Sequence, residues 1–301
     1  MDAVLVDRVT KSYDSVTAVN DLSFAIKQGA VFGLLGPNGA GKTTTLRMMM
    51  RILVPDTGNI RILGEPLTDK TQDLIGYLPE ERGLYQRMEI GKILVFLGAL
   101  KGLTEKEAGR RTGAWLERFE LTKWTKKKLI DLSKGMQQKV QFIAAVIHQP
   151  PLLILDEPFT GLDPVNAILV KDIMLELRAQ GATIILSTHR MEQVEMMCDS
   201  ICLIHHGRNV LHGDLRAIKK SYGKNTLRIE CSGDGNFLNQ SGLVENVNHF
   251  GEVTEAKLKP GADPQEILKA AVRQGVRINR FELVEPPLND IFIEKVGGAR
   301  A

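Results

Sequence analysis

The chain has 301 residues, a net charge of +3, 43% apolar residues and 25% charged ones. That length allows one large domain and a smaller one. The composition is that of a globular chain, which excludes a disordered polymer and gives no charge surplus that would argue for nucleic acid. Three cysteines do not make a disulfide framework and suit a reducing compartment.

The N-terminal Met1-Asp-Ala-Val-Leu-Val-Asp-Arg8 has neither the basic start nor the long apolar core of a secretory leader, so none is expected. Ala3–Val9 and Leu22–Ile26 alternate as strands, and Ala30–Leu35 is a continuous apolar run ending in the turn cluster Gly36-Pro-Asn-Gly-Ala-Gly41. Thr43–Ile52 is predicted helical. Glu89 to about Phe119 has helical spacing, with breaks expected at Gly102-Leu-Thr104 and around Gly113. Its apolar stretch Ile93–Leu100 is far shorter than the roughly 20 residues a membrane span needs, so any membrane role requires a partner chain. The run Lys123-Trp-Thr-Lys-Lys-Lys128 reads as a solvated face.

Gln137–Gln149 is a helix stopped by Pro150-Pro151. Leu152–Leu155 and Ala182–Ser187 are short buried strands, and the helix Asn166–Gln180 between them is capped by Gly181. Buried strands alternating with helices predict a mostly parallel α/β sheet covered on both faces. A boundary is expected at Ser221-Tyr-Gly-Lys-Asn225, dividing residues 1–222 from 223–301. Beyond it, strands at Thr226–Cys231, Val253–Leu258 and Val276–Val284 and helices at Asp263–Gln274 and Leu288–Val296 predict a small α+β domain of ferredoxin-like type.

Gly36-Pro-Asn-Gly-Ala-Gly-Lys42-Thr43 matches G-x-x-x-x-G-K-[ST] in full, between a strand and a helix. In that context glycines turn backbone N–H groups around phosphate oxygens, and the helix N-terminus adds partial positive charge. Lys42 is placed to reach the β- and γ-phosphates, and the Thr43 hydroxyl to bind Mg²⁺. Leu152-Leu-Ile-Leu-Asp156-Glu157 puts two carboxylates at a strand's C-terminal end, where open α/β sheets bind ligands. Asp156 is expected to hold Mg²⁺ and Glu157 to activate an attacking water. His189, after the next buried strand, could reach the γ-phosphate or that water. Leu132-Ser-Lys-Gly-Met136 opens a helix, with Ser133 as N-cap and Gly135 as a flexible point. It is either a plain helix start or a second phosphate-binding helix end.

The order and spacing of Gly36–Thr43, Leu132–Met136, Asp156-Glu157, Thr160-Gly-Leu-Asp163 and His189 resemble the ATP-binding-cassette (ABC) ATPases, over roughly residues 3–220. The resemblance implies a P-loop NTPase core with a helical subdomain at about 85–150, and ATP and Mg²⁺ as cofactors. It also implies a head-to-tail pair of cassettes, with a second ATPase subunit as partner. Nucleotide contacts are then expected from Gly36, Pro37, Asn38, Gly39, Ala40, Gly41, Lys42, Thr43 and Thr44, with Tyr13 stacking on adenine. Ser133 and Gly135 would contact ATP held by the partner, and Asp163 would cross the interface. Catalysis falls to Glu157 and His189.

The finer likeness is to ATPase subunits of bacterial drug-resistance and sodium-efflux exporters. It rests on Leu78-Pro-Glu-Glu-Arg-Gly-Leu-Tyr85, Leu132-Ser-Lys-Gly135 and the tail Pro287-Leu-Asn-Asp-Ile-Phe292. Such subunits work with a separate transmembrane permease on the inner face of the membrane, and no nucleic acid is expected as a partner.

Two departures stand out. Lys134 and Met136 replace Gly and Gln of the usual Leu-Ser-Gly-Gly-Gln signature. Glu80 stands where a glutamine usually touches Mg²⁺ or the attacking water, which makes it a candidate metal ligand together with Thr43 and Asp156. Glu81 and Arg82 are expected to be a solvated pair or a permease contact. Cys198, Cys202, His205 and His206 have metal-like spacing, but strand alternation sends their side chains to different faces. Non-transport members that act on ribosomes or DNA usually carry two cassettes or a long coiled coil, and this chain has one P-loop motif and neither addition. It also lacks an Asn-Lys-x-Asp guanine-specificity segment. An importer subunit is the alternative within transport.

Overall fold

The computed structural model describes residues 1–81, 83–232, 238, 241–251 and 253–297. The chain divides into two compact units, Met1–Gly213 and Asp214–Ala301. The first begins with β1 (Asp2–Tyr13), β2 (Val16–Lys27), β3 (Val31–Leu35), α1 (Lys42–Met49), β4 (Thr57–Ile62) and β5 (Glu65–Pro66). Then come α2 (Asp69–Asp73), β6 (Ile75–Leu78), α3 (Ile90–Leu100), α4 (Glu105–Arg118), α5 (Lys134–Val146), β7 (Leu152–Asp156) and α6 (Pro164–Ala179). It closes with β8 (Thr183–Thr188), α7 (Met191–Met197), β9 (Ser200–His205) and β10 (Arg208–Asp214).

Its central sheet has the order β10-β9-β3-β8-β7-β6. Strands β9, β3, β8, β7 and β6 pair in parallel. Every residue of β3, β7 and β8 is buried, as a sheet covered on both faces requires. Register aligns their C-terminal ends, with Leu35 opposite Thr188 and Asp156 opposite Ser187. A second, antiparallel sheet, β2-β1-β4-β5, adds Val4, Val6, Leu22, Phe24, Ile26 and Ile60 to the same core.

Helices α3, α4 and α5 make up the helical segment. The break at Gly102 is present, but α4 runs through Gly113, where a break was expected. Gly113 sits on the solvent side, so it costs the helix only about 1 kcal/mol. The buried stripe Ala108, Thr112 and Leu116 outweighs that cost. At its end Phe119 packs against Phe142 of α5, ring centroids 5.9 Å apart.

The second unit contains α8 (Leu215–Tyr222), β11 (Thr226–Ser232), β12 (Val244–Phe250), β13 (Val253–Leu258), α9 (Pro264–Arg273), β14 (Arg277–Val284) and α10 (Leu288–Gly297). Its sheet order is β12-β13-β11-β14, with every pairing antiparallel. Leu227, Ile229, Ala256 and Leu258 form its core with Ile267 and Ala271 of α9. Strand β12 has no strand signal of its own, since Val244-Glu-Asn-Val-Asn-His249 is mostly polar. It exists because β13 supplies a paired edge. Helix α8 was likewise not among the expected elements; it ends at Tyr222, just before the expected boundary.

Gly76 in β6 is where the helical segment meets the sheet. A Cβ there would lie 2.1 Å from the Ala145 carbonyl oxygen and 2.7 Å from Cγ of Pro150. No side chain fits without moving the end of α5 off the strand. Gly76→Ala is therefore expected to lower unfolding free energy by about 1–3 kcal/mol, the usual cost of overpacking. Urea denaturation followed by circular dichroism measures it, and wild-type stability in that variant would disprove the close contact.

Candidate functional site

The loop after β3 has left-handed backbone at Gly36, Gly39 and Gly41 (φ 151°, 77° and 107°). Gly36 is also sterically required, because a Cβ would fall 2.2 Å from the Ile204 carbonyl oxygen of β9. Lys42, the first residue of α1, is only 7% exposed. Its Nζ donates to the carbonyl oxygens of Gly36 (2.8 Å) and Pro37 (3.1 Å), which folds the loop around the amine. Ala40 fixes the far side of the loop by accepting from the Gly207 N–H at 2.9 Å.

The next residue joins the loop to the sheet. Thr43 Oγ1 donates to Asp156 Oδ2 at 2.9 Å. Asp156 ends β7 and is buried, and that burial raises its pKa while the Thr43 hydroxyl pulls it back down. Burial likewise lowers the pKa of Lys42, and the Glu157, Asp156 and Glu80 carboxylates oppose the shift. The amine and the carboxylates thus stabilise one another's charged forms in a region short of water.

Glu157 leaves the sheet with φ 50°, an unusual value for a non-glycine residue. Its N–H donates to the Ser187 carbonyl oxygen at 2.9 Å, so the turn is held by the end of β8. Its carboxylate is held from the same strand end. Oε2 accepts from Thr188 Oγ1 (3.2 Å), and Oε1 accepts from the His189 N–H (3.0 Å). His189 Nδ1 lies 2.6 Å from that same Oε1. Nothing local in Ser187-Thr-His189 singles out Thr188; its hydroxyl gains its role from a carboxylate at the end of the adjacent strand.

Tyr13, Asn38, Gly39, Gly41, Lys42, Thr43, Thr44, Glu80, Asp156 and Glu157 line one cleft of about 500 Å³, within the usual range for small-ligand sites. Tyr13 stands at its mouth, 43% exposed, at the end of β1. Gly36, Pro37 and Ala40 lie in the loop behind the cleft, and His189 joins it through Glu157. Glu80 is exposed at the rim. Glu81 is exposed and approaches Arg47 at 4.0 Å; Arg82, expected to pair with it, lies outside the described residues.

Thr43 and Asp156 offer two adjacent oxygen donors, which suits a hard ion such as Mg²⁺ completed by phosphate oxygens and water. Among the described residues no three His, Cys, Asp or Glu side chains converge as a metal cage, the Cys198–His206 spacing included.

Ser133, Gly135 and Asp163 do not line this cleft. Ser133 caps α5, its Oγ accepting from the Met136 N–H at 3.3 Å. Asp163 caps α6, accepting from the Asn166 N–H at 2.9 Å, and that bond holds its carboxyl below the usual carboxylate range. The two helix starts are neighbours, since a Cβ on Gly135 would lie 3.0 Å from the Gly161 carbonyl oxygen.

Known proteins resemble this chain over nearly its whole length. Residues 19–160 match the ABC transporter family, and residues 213–296 match the C-terminal domain of DrrA1-3-like ATP-binding proteins. The chain is 45% identical to an uncharacterized ABC transporter ATP-binding protein, YhaQ of Bacillus subtilis, over 97% of this chain and 98% of the other. It is 35% identical to the Nod factor export ATP-binding protein I of Rhizobium sp. (strain N33), over 96% of this chain and 95% of that one. Among solved structures, it resembles the ATP-binding subunit of an ABC transporter at 35% identity and a TM-score of 0.69, covering 73% of this chain and 93% of that one. An ABC ATPase cassette followed by a DrrA-type C-terminal domain is what residues 19–160 and 213–296 describe, and the chain belongs to the ABC transporter ATP-binding proteins.

Proposed function

We propose that this chain is the ATP-hydrolysing subunit of an exporter and drives a separate membrane permease through ATP-dependent head-to-tail pairing with a second, identical subunit. One observation carries the reading: a single cleft contains the loop-wrapped amine of Lys42, the Thr43–Asp156 pair and the carboxylate of Glu157. An amine and backbone N–H groups suit polyphosphate, and a strand-anchored carboxylate beside them suits activation of water. Export is supported by the Nod factor export role of the Rhizobium relative and by the DrrA-type C-terminal domain. Among the described residues no helix is long and apolar enough to cross a membrane, so the translocation path would belong to another chain.

In this reading Tyr13 stacks on adenine, while residues Gly36 to Thr44 and Lys42 Nζ hold the phosphates. Thr43, Asp156 and Glu80 would hold Mg²⁺, which would supply positive charge to offset the negative charge of the phosphates. Glu157 takes the proton from the attacking water. His189, held by Glu157, donates to the γ-phosphate. Ser133 and Gly135 are displaced from the chain's own cleft, as expected of groups that contact the partner's nucleotide. Asp163 lies beside them at the pairing surface.

The permease has a candidate seat. An apolar groove of about 330 Å³ lies between the sheet and the helical segment, lined by Tyr77, Leu84, Leu97, Leu100 and Ala144 among others. Leu100 is exposed, as is Phe96 on the same helix. These side chains suit the apolar face of a short helix.

Three substitutions test the site. Glu157→Gln keeps the size and most of the hydrogen bonding but loses the base. Turnover should fall roughly 100-fold or more, with ATP still bound and the pair of subunits trapped closed. Rapid multiple turnover in that variant would remove Glu157 from its role. Lys42→Ala should weaken nucleotide binding or turnover by about tenfold or more, the worth of a charged hydrogen bond in a sheltered site, as read by equilibrium binding of a fluorescent ATP analogue. Glu80→Gln removes one negative charge from the rim, so ATP should bind more tightly and the Mg²⁺ dependence of turnover should shift. An identical Mg²⁺ titration and rate would release Glu80 from the metal site.

A further inference from the structure

Residues 85–150 contain thirteen Lys and Arg against six Asp and Glu, a surplus of seven in a chain whose net charge is only +3. Part of this surplus is concentrated on one surface. The segments 85–91 and 125–130 run side by side, held by backbone hydrogen bonds. Ile130 N–H donates to Gln86 (2.9 Å), Leu129 N–H to Met88 (3.1 Å), Ile90 N–H to Lys127 (3.0 Å) and Gly91 N–H to Thr125 (2.9 Å). This pairing brings the backbone at Arg87 close to Lys126, Lys127 and Lys128, with Lys123 one turn earlier.

All five cations are exposed, and none has an acidic partner among the described residues. Of the acids close by, Glu89 is taken by Lys92 at 2.8 Å, and Asp131 accepts from the Lys128 backbone N–H at 3.2 Å. Two large apolar side chains stand among the cations, Tyr85 (61% exposed) and Ile130 (59%).

We infer that this surface rests on the anionic headgroups of a phospholipid bilayer. The inference depends on the proposed function only for placing the chain beside a membrane. Four of the five cations are lysines, whose hydrated point charges suit diffuse attraction to a charged lipid surface more than bidentate base recognition. An exposed tyrosine and isoleucine among them gain from the apolar boundary beneath the headgroups, whereas nucleic acid offers an isoleucine little. Contact with lipid would give the subunit a second hold on the membrane beside its permease. It also gives the run Lys123–Lys128 a use beyond solvation.

The test uses the full chain without permease and vesicles of phosphatidylcholine, with or without about one-third phosphatidylglycerol. Cosedimentation should occur with the anionic vesicles alone and be lost in molar salt, where screening lengths fall to about 3 Å. Replacing Lys123, Lys126, Lys127 and Lys128 together by Gln should weaken it by at least roughly tenfold. Basal ATPase rate and thermal unfolding should stay unchanged. Tyr85→Ser with Ile130→Ser should weaken binding while keeping its salt dependence. Equal binding to neutral vesicles, or undiminished binding by the lysine variant, overturns the inference. So does a lysine variant whose only loss is in heparin binding or ATP-driven pairing, which would assign the surface to a polyanion or to the second subunit. Loss of ATPase activity in the wild-type chain itself would instead count against the proposed function, whatever the vesicles show.

Discussion

The 2.9 Å hydrogen bond from Thr43 to Asp156 joins residues 113 positions apart and locks the phosphate loop to the central sheet. Neither end could hold this position alone. Thr43 stands in the first turn of α1 because Gly36 passes under the Ile204 carbonyl and Lys42 is gripped by its own loop. Asp156 stands at the C-terminal end of the sheet because β7 pairs in parallel with β8 along its full length and with β6 as far as Leu155. Fully buried strands cannot slip register without exposing apolar side chains, so the hydrophobic core is what sets polar distances at the rim.

Electrostatics follow from that placement. The cleft gathers Asp156, Glu157 and Glu80 around one buried amine, so carboxylates outnumber the cation. Burial works against charge on Asp156 and Lys42 alike, and each offsets part of the other's desolvation. Surplus carboxylate in a cleft works against binding of a free polyanion and would favour one that carries a cation with it. Glu80 adds to that negative charge, and its exposed position at the rim lets solvent screen it.

Much of this was legible in the sequence because it is local. The glycine pattern, the apolar run of β7 and the carboxylates after it announce themselves within a few residues. The strands and helices that frame them follow from burial and caps, such as Ser133 on α5. What was not legible is what depends on a distant neighbour. Thr188 takes its meaning from Glu157, β12 from the free edge of β13, and Glu81 from Arg47 on α1. The run Lys123–Lys128 looked like an ordinary solvated face until its pairing with residues 85–91 brought Arg87, Tyr85 and Ile130 beside it. Gly113 misled in the other direction, since a local helix penalty of about 1 kcal/mol yields to a buried stripe on the opposite face.

The helix α5 gives the parts of the site a common support. Gln138 Nε2 donates to the Pro158 carbonyl oxygen, directly after Glu157, at 3.2 Å. One turn on, Gln141 Nε2 reaches the Glu81 carbonyl oxygen at 3.4 Å, next to Glu80. At its start, Gly135 packs on the Gly161 carbonyl, and its last turn lies against Gly76 of β6. A helix is stiff over these few turns, so a displacement of either loop is carried to the Ser133 end as a tilt of the whole rod instead of being absorbed locally. Those two loops adjoin Glu157 and Glu80 of the cleft, while Ser133 is not among the residues that line it. A subunit built this way would report the state of its bound nucleotide to its partner through a single helix. The contacts that carry the signal are glutamine side chains on backbone carbonyls, which hold in either charge state of the carboxylates next to them.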